Sequence, residues 1–245
     1  MPFLDHLEEL RWRILWCLLA VTIFTLIGLY LVTRFDVLGL LIEPITPFLD
    51  GGRLGFLSPT EPFFVTLKLA LLVGVILAGP ILVYQTWAFF SPALHHDEKK
   101  AVIPALYFGL ILFSAGVAMA YYVALPVTLR FTMGFQTESL EQAIVIGEYL
   151  SVVTRLLLAF GIVFEMPVVI LALTAIGLVT PEFLADKRRH AIALITVVSA
   201  VITPGDVITI TLLMMVPLVV LYEVSITLSK VVVRKRRIAA ATAQS

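Results

Sequence analysis

Glu165 is the most costly residue in this sequence to place. It lies in EYLSVVTRLLLAFGIVFEMPVVILALTAIGLV (148–179), which after Arg155 is apolar except for Thr174 and this one carboxylate. A run of that length reads as a membrane-crossing helix, since about 20 apolar residues span the hydrocarbon. The acid then lies near mid-depth, about 24 Å of helix beyond Tyr149 at 1.5 Å per residue. An ionised carboxylate there costs roughly 2.5–3.5 kcal/mol on insertion scales, so a chain keeps one only facing protein or water, or protonated. Two residues on, Pro167 removes a backbone donor and predicts a kink beside the acid. Two chemistries suit such a group. It is a protonated acid bonded to a neighbouring helix and serving packing, or a polar contact for a partner's helix or for movement linked to cargo.

Other reactive constellations are sparse. His95-His96 with Asp97 lacks the four-ligand pattern of a structural metal site and reads as a solvated turn. There is no HExxH, no Walker loop and no paired-aspartate or Ser/His arrangement inside a span, so neither an enzyme class nor a cofactor is indicated. Taken without any resemblance, kinked helices around a mid-depth acid suit a proton-coupled carrier of a small solute. Cys17 is a lone cysteine in an apolar run and excludes an internal disulfide.

The elements that position these residues follow from hydropathy. The 245 residues are 60% hydrophobic and 14% charged with mean hydropathy +1.05, against about 45–50% and 25% in soluble domains. This is an all-α integral membrane protein. Residues 1–11 form a short amphipathic helix leading into the first span, and six spans are expected at about 12–32, 63–90, 101–130, 149–177, 190–203 and 207–229. The second is expected to break at Gly79-Pro80. The fifth and sixth are short, the fifth only about 21 Å long against a hydrocarbon core of about 30 Å. Residues 33–61, rich in proline, are expected to fold as a cap outside the bilayer. TPEFLADKRRH (180–190) carries a helix-start pattern of Thr180, Pro181 and Glu182. The tail 230–245 ends in AAATAQS, read as disordered, and its RKRR (234–237) reads as a topology anchor for anionic lipid, not a nucleic-acid site.

Lys and Arg set the orientation. With a cytoplasmic N-terminus, twelve of the seventeen fall on the inner side, in clusters at 11–13, 99–100, 187–189 and 230–237, and three (Arg34, Arg53, Arg130) fall outside. Lys68 and Arg155 lie inside spans. Both termini are therefore expected in the cytoplasm. Lys68, Gly74 and Pro80 are echoed 87 positions later by Arg155, Gly161 and Pro167. That echo is either a parallel repeat or two helices that independently need a snorkelling base and a proline kink.

Five motifs occur in order along the chain: HLEELRWR, SPTEPFF, SPAL-x4-EKK, AFGIVFEMP and TPGD. Together they resemble TatC, the multi-spanning subunit of the twin-arginine protein translocase, over essentially the whole chain. The resemblance implies six helices in a concave, glove-like bundle. It implies recognition of signal peptides bearing two consecutive arginines, assembly with single-span TatA/TatB-type subunits and other TatC copies, and export of folded cargo using the proton motive force. The family's signal-binding acids fall on Glu9 and Glu98, with Arg11 at a motif position and Phe89 as the bordering aromatic. The outer cap matches at Pro44, Pro62 and Phe63, the mid-membrane acid at Glu165, and the last turn at Thr203 and Asp206. Three positions depart from the family pattern. TPGD stands for TPPD, Ile210 for a glutamine implicated in partner binding, and Glu148 lies near the place of an aspartate before span four.

Carboxylates are the right chemistry for that ligand. A carboxylate accepts an arginine fork through two parallel charge-assisted hydrogen bonds, which lysine cannot reproduce. The alternative is that Glu8, Glu9 and Glu98 pair with Arg11, Arg13 and Lys99 as surface ion pairs worth about 0–1 kcal/mol.

Overall fold

The computed structural model describes residues 3–49, 54–90, 102–134, 144–202 and 208–242. Among them the chain is helical, with one isolated parallel bridge between Gly55 and Val145. The helices are α1 (Phe3–Arg34), α2 (Val37–Ile42), α3 (Glu61–Phe90), α4 (Val102–Met119), α5 (Leu125–Gly134), α6 (Ile146–Phe164), α7 (Met166–Ala175), α8 (Pro181–Asp186), α9 (Arg188–Ile202) and α10 (Ile208–Thr242). A 3-10 segment, Glu43–Phe48, follows α2, and a π-helical turn, Ala120–Ala124, joins α4 to α5. Five stretches among the described residues are long and apolar enough to cross a membrane: Leu7–Arg34, Glu61–Phe89, Tyr107–Gly134, Ile146–Ala175 and Met214–Arg234. The 15 residues of α9 cover about 22 Å, less than the hydrocarbon thickness.

Three expectations change. The N-terminal amphipathic segment and the first span are one continuous helix, α1. Helix α3 runs through Pro80 without a break, because a proline costs one hydrogen bond and crowds one carbonyl, and a long membrane helix absorbs that as a local adjustment. The end of the chain is not irregular as far as Thr242: α10 carries straight on through the basic cluster, which makes it 35 residues long.

The chain divides into two compact units, Met1–Leu82 with Gly116–Phe160, and Val83–Ala115 with Gly161–Ser245. In the first, α1 and α3 approach backbone to backbone. A Cβ on Gly74 would lie 2.6 Å from the Thr25 Cα, and one on Gly28 would lie 2.5 Å from the Ala70 carbonyl oxygen. Small residues make this contact possible where apolar side chains gain nothing by leaving lipid for one another. The outward face of α1, with Trp12, Trp16, Leu19, Ile23, Leu26 and Tyr30, is exposed, and the two tryptophans suit a membrane interface.

The second unit is built on α10. Val83, Trp87, Val168 and Ala172 form a buried cluster against Phe108, Leu112, Ala175 and Ile176. The Thr174 and Ser229 hydroxyls hydrogen-bond each other at 2.9 Å, joining α7 to α10, and the Tyr222 hydroxyl donates to the Leu184 carbonyl at 2.8 Å, joining α10 to α8. Helix α7 ends at Gly177, whose φ of 79° is left-handed. The Gly177 N–H donates to Thr174 O and the Leu178 N–H to Leu173 O, which closes the helix with the carbonyls an αL glycine makes reachable. Thr180 then caps α8 by accepting from the Phe183 N–H at 3.1 Å, with Pro181 at the first position as its sequence predicts.

Candidate functional site

Glu9 lies two turns inside α1, half-buried, and holds its own helix's Arg13. Both the Arg13 Nε, at 3.1 Å, and an Nη donate to Glu9 Oε1. This is an i,i+4 pair with the acid on the N-terminal side, the favourable order on a helix. Arg11, two residues away, is exposed. The Glu9–Arg13 ion pair anticipated from the sequence is therefore formed. Glu98, the other acid of the expected pair, lies outside the described residues, as do His95, His96, Thr203 and Asp206. Phe89 is half-buried in the last turn of α3, within the second unit.

Glu165 stands between α6 and α7, where the chain leaves α-helical register. The Glu165 N–H donates to Ile162 O at 3.1 Å, and the Val168 N–H returns to Glu165 O at 3.0 Å, both three-residue steps. Pro167 occupies the first turn of α7, where its missing N–H costs least. The bend expected beside the acid is thus a break at the acid itself. Glu165 Oε1 is buried and has no hydrogen-bond partner among the described residues, and the same holds for the Trp87 indole Nε1. Gly109 of α4 is what admits the carboxylate. A Cβ there would lie 3.0 Å from Glu165 Oε2 and 2.8 Å from Val83 Cγ1. Of the two chemistries open for this acid, the packing bond to a neighbouring helix finds no donor at Oε1. An orphaned buried oxygen in hydrocarbon costs several kcal/mol at most and roughly 1–3 kcal/mol by mutational measure. Native structures keep few of them, and each calls for a reason.

The residues expected in the cap are joined to the spans by side chains that sequence reasoning passed over. Pro44 lies in the 3-10 segment. Pro62 and Phe63 open α3 and are exposed, with the Phe63 and Phe64 rings edge to face at 5.5 Å. Between them, Glu61 is the hub. Its Oε2 accepts from the Leu57 N–H at 2.6 Å, and its Oε1 accepts from the Gly147 N–H at 3.0 Å. An acid in the first turn after Ser58 and Thr60 is a helix-start signal, so its capping role was open to sequence reading. Its reach across 86 positions to the start of α6 was not. Tyr121 and Tyr149 likewise donate to the carbonyls of Leu40 and Leu41. Glu223 of α10 pairs with Arg188 of α9 at 2.8 Å, in the open.

The model of the family described as Sec-independent protein translocase protein (TatC) matches residues 5–217. The chain belongs to the TatC family. The TatC protein of Aquifex aeolicus is 41% identical over 239 residues, covering 97% of this chain and 98% of that protein. Escherichia coli TatC is 36% identical over 237 residues, covering 96% and 91%. A crystal structure described as the twin-arginine translocase receptor TatC superposes with a TM-score of 0.81 at 40% identity, covering 91% of this chain and 99% of that one. A second crystal structure of that receptor gives 0.80 at 39% identity. The chain is thus a multi-pass membrane component of the TatC translocase, and the system it serves supplies its partners.

Proposed function

We propose that this TatC is the signal-peptide receptor of a twin-arginine translocase, with both termini in the cytoplasm. The supporting observation is the full-length likeness to a solved twin-arginine translocase receptor at 40% identity. The peptide's two guanidinium groups are taken by Glu9 and Glu98 at the inner face, with Arg11 and Phe89 bordering the site. Glu9 is pre-engaged by Arg13. Such a surface-type pair is worth about 0–1 kcal/mol, so an incoming bidentate arginine displaces it at little cost. Arg13 also holds the carboxylate in one rotamer until then. Glu165 offers its unpaired oxygen to a polar group on a TatA/TatB-type single-span partner. Pro62 and Phe63 belong to the cap, and Thr203 and Asp206 to the last turn. Further TatC copies complete the assembly, and folded cargo crosses on the proton motive force.

The test is photocrosslinking of a twin-arginine signal peptide to the protein in membranes, beside a twin-lysine control. Labelling by the Arg-Arg peptide alone, lost in Glu98→Lys or Glu9→Ala while the protein still inserts, is the expected result. Equal labelling by both peptides overturns the reading and returns the molecule to a solute carrier centred on Glu165.

A further inference from the structure

Pro44 has no side-chain chemistry of its own, and its geometry explains why the cap carries it. A residue-44 N–H would serve the Leu40 carbonyl in α-helical register and the Leu41 carbonyl in 3-10 register. Proline supplies neither. The remaining carbonyls at this helix end are taken locally: Gly39 O by the Glu43 N–H, and Ile42 O by the Thr46 hydroxyl at 3.1 Å. Leu40 O and Leu41 O, the two carbonyls within reach of that single missing N–H, are the two that distant tyrosines take. Tyr121 donates to Leu40 O at 2.6 Å across 81 positions, and Tyr149 donates to Leu41 O across 108. Each of the last four carbonyls of α2 thus has a donor.

The span carrying Tyr121 is shaped for the contact. Tyr121 lies in the π-helical turn Ala120–Ala124, closed by the Leu125 N–H bonding to Ala120 O five residues back. Pro126 follows, and lacks the N–H that would continue the α register onto Tyr122 O. One extra residue per turn re-aims the neighbouring side chains. Tyr121 turns to the cap while Tyr122, edge to face with it at 4.9 Å, stays 74% exposed. π-turns of this kind are rare and cluster where a side chain must be redirected.

We infer that Pro44, Tyr121 and Tyr149 form one latch: the proline withholds the N–H that would serve the Leu40 or the Leu41 carbonyl at the end of α2, and the two tyrosine hydroxyls take these carbonyls, fixing the cap segment 37–48 to the membrane helices. The tyrosines are positioning residues, acting on the cap and not on the signal peptide. The export arm of the test rests on the receptor reading above, whereas the exchange arm does not.

Amide hydrogen exchange of the purified full chain, read by mass spectrometry over residues 37–49, decides it. In Tyr121→Phe/Tyr149→Phe, which keeps both rings and loses only the hydroxyls, exchange in that segment rises by about tenfold or more, the scale of one to two hydrogen bonds. Tyr122→Phe leaves it unchanged. Pro44→Ala restores an N–H at 44, so adding Tyr121→Phe to it changes exchange less than Tyr121→Phe does alone. In membranes, the double tyrosine variant loses export of a folded twin-arginine reporter while peptide crosslinking stays at the wild-type level. Unchanged exchange in the double variant overturns the latch, and so do strictly additive effects with Pro44→Ala or a parallel loss of crosslinking. Should wild-type protein fail to prefer the Arg-Arg peptide, the receptor reading falls while the exchange result still decides the latch.

Discussion

Two regions of this chain treat polar groups in opposite ways. At the corner formed by α2, the start of α3 and the start of α6, polar groups are matched: Glu61 serves two N–H groups, and two tyrosines serve two carbonyls. In the packet around α7, a carboxylate oxygen and an indole N–H lie buried without hydrogen-bond partners among the described residues, and the carboxylate fills the gap left by Gly109. The first arrangement is what stability favours, since a polar group parted from its partner costs free energy. The second is what stability alone would remove, since apolar side chains of similar volume would pack as well or better. The matched corner is therefore scaffold, whereas stability does not explain the unmatched packet.

Substitution separates the two. At the packet, Glu165→Leu keeps or raises the thermal stability of the detergent-solubilised protein, yet lowers export by more than about tenfold, about 1.4 kcal/mol of lost coupling. Wild-type export in that variant, measured with a folded reporter, would return Glu165 to the scaffold and erase the contrast. The corner responds in the other sense. Glu61→Ala strands the Leu57 and Gly147 N–H groups and costs about 2–4 kcal/mol, at roughly 1–2 kcal/mol for each unserved donor. Denaturant or thermal unfolding reads this directly, and a loss under about 0.5 kcal/mol, the ordinary surface value, would show that the hub is not needed. A third variant tests the gap itself. Gly109→Ala drives a methyl to 2.8 Å from Val83 Cγ1 and 3.0 Å from Glu165 Oε2, an overpacking worth about 1–3 kcal/mol. It should weaken crosslinking from position 165 to single-span partners more than it weakens peptide binding.

How far the sequence predicts this contrast depends on which contacts are local. The spans are legible because about 20 apolar residues admit few alternatives. Thr180-Pro181-Glu182 is legible because a cap is made by neighbours. Pro167 announces a bend, but not that Glu165 itself leaves the helix, and Pro80 announces a break that α3 does not make. The same residue type gives different outcomes because the register steps at Ile162, Glu165 and Val168 depend on what packs around them. Tyr121, Tyr149 and the second oxygen of Glu61 were invisible for a simpler reason. Their partners lie 81, 108 and 86 positions away, and a tyrosine in an apolar run looks like any interfacial aromatic until the fold brings a carbonyl to it. Of the acids matched to signal binding, Glu9 is present with its helix-mate Arg13, while Glu98 lies outside the described residues, so the carboxylate pair rests on motif position.

The smallest effect sharpens the comparison from outside both regions. Arg188 and Glu223 pair at 2.8 Å with each side chain about half exposed. A pair in that setting gains little Coulomb energy in high dielectric and spends side-chain entropy to hold its geometry. Thr174 of α7 and Ser229 of α10 share a single neutral hydrogen bond that is fully buried. Net charge would rank the ion pair first, whereas burial ranks it last. Thr174→Val should cost about 1–3 kcal/mol, because it leaves the Ser229 hydroxyl unserved, and adding Ser229→Ala should recover part of that loss. Glu223→Ala should cost about 0–1 kcal/mol, shrinking further in high salt. Unfolding of the three variants in one detergent, at low and high salt, measures the order. If Glu223→Ala proved the costlier change, burial would not be what sets the value of polar contacts in this chain, and the inference drawn from the unpaired oxygen of Glu165 would lose its footing with it.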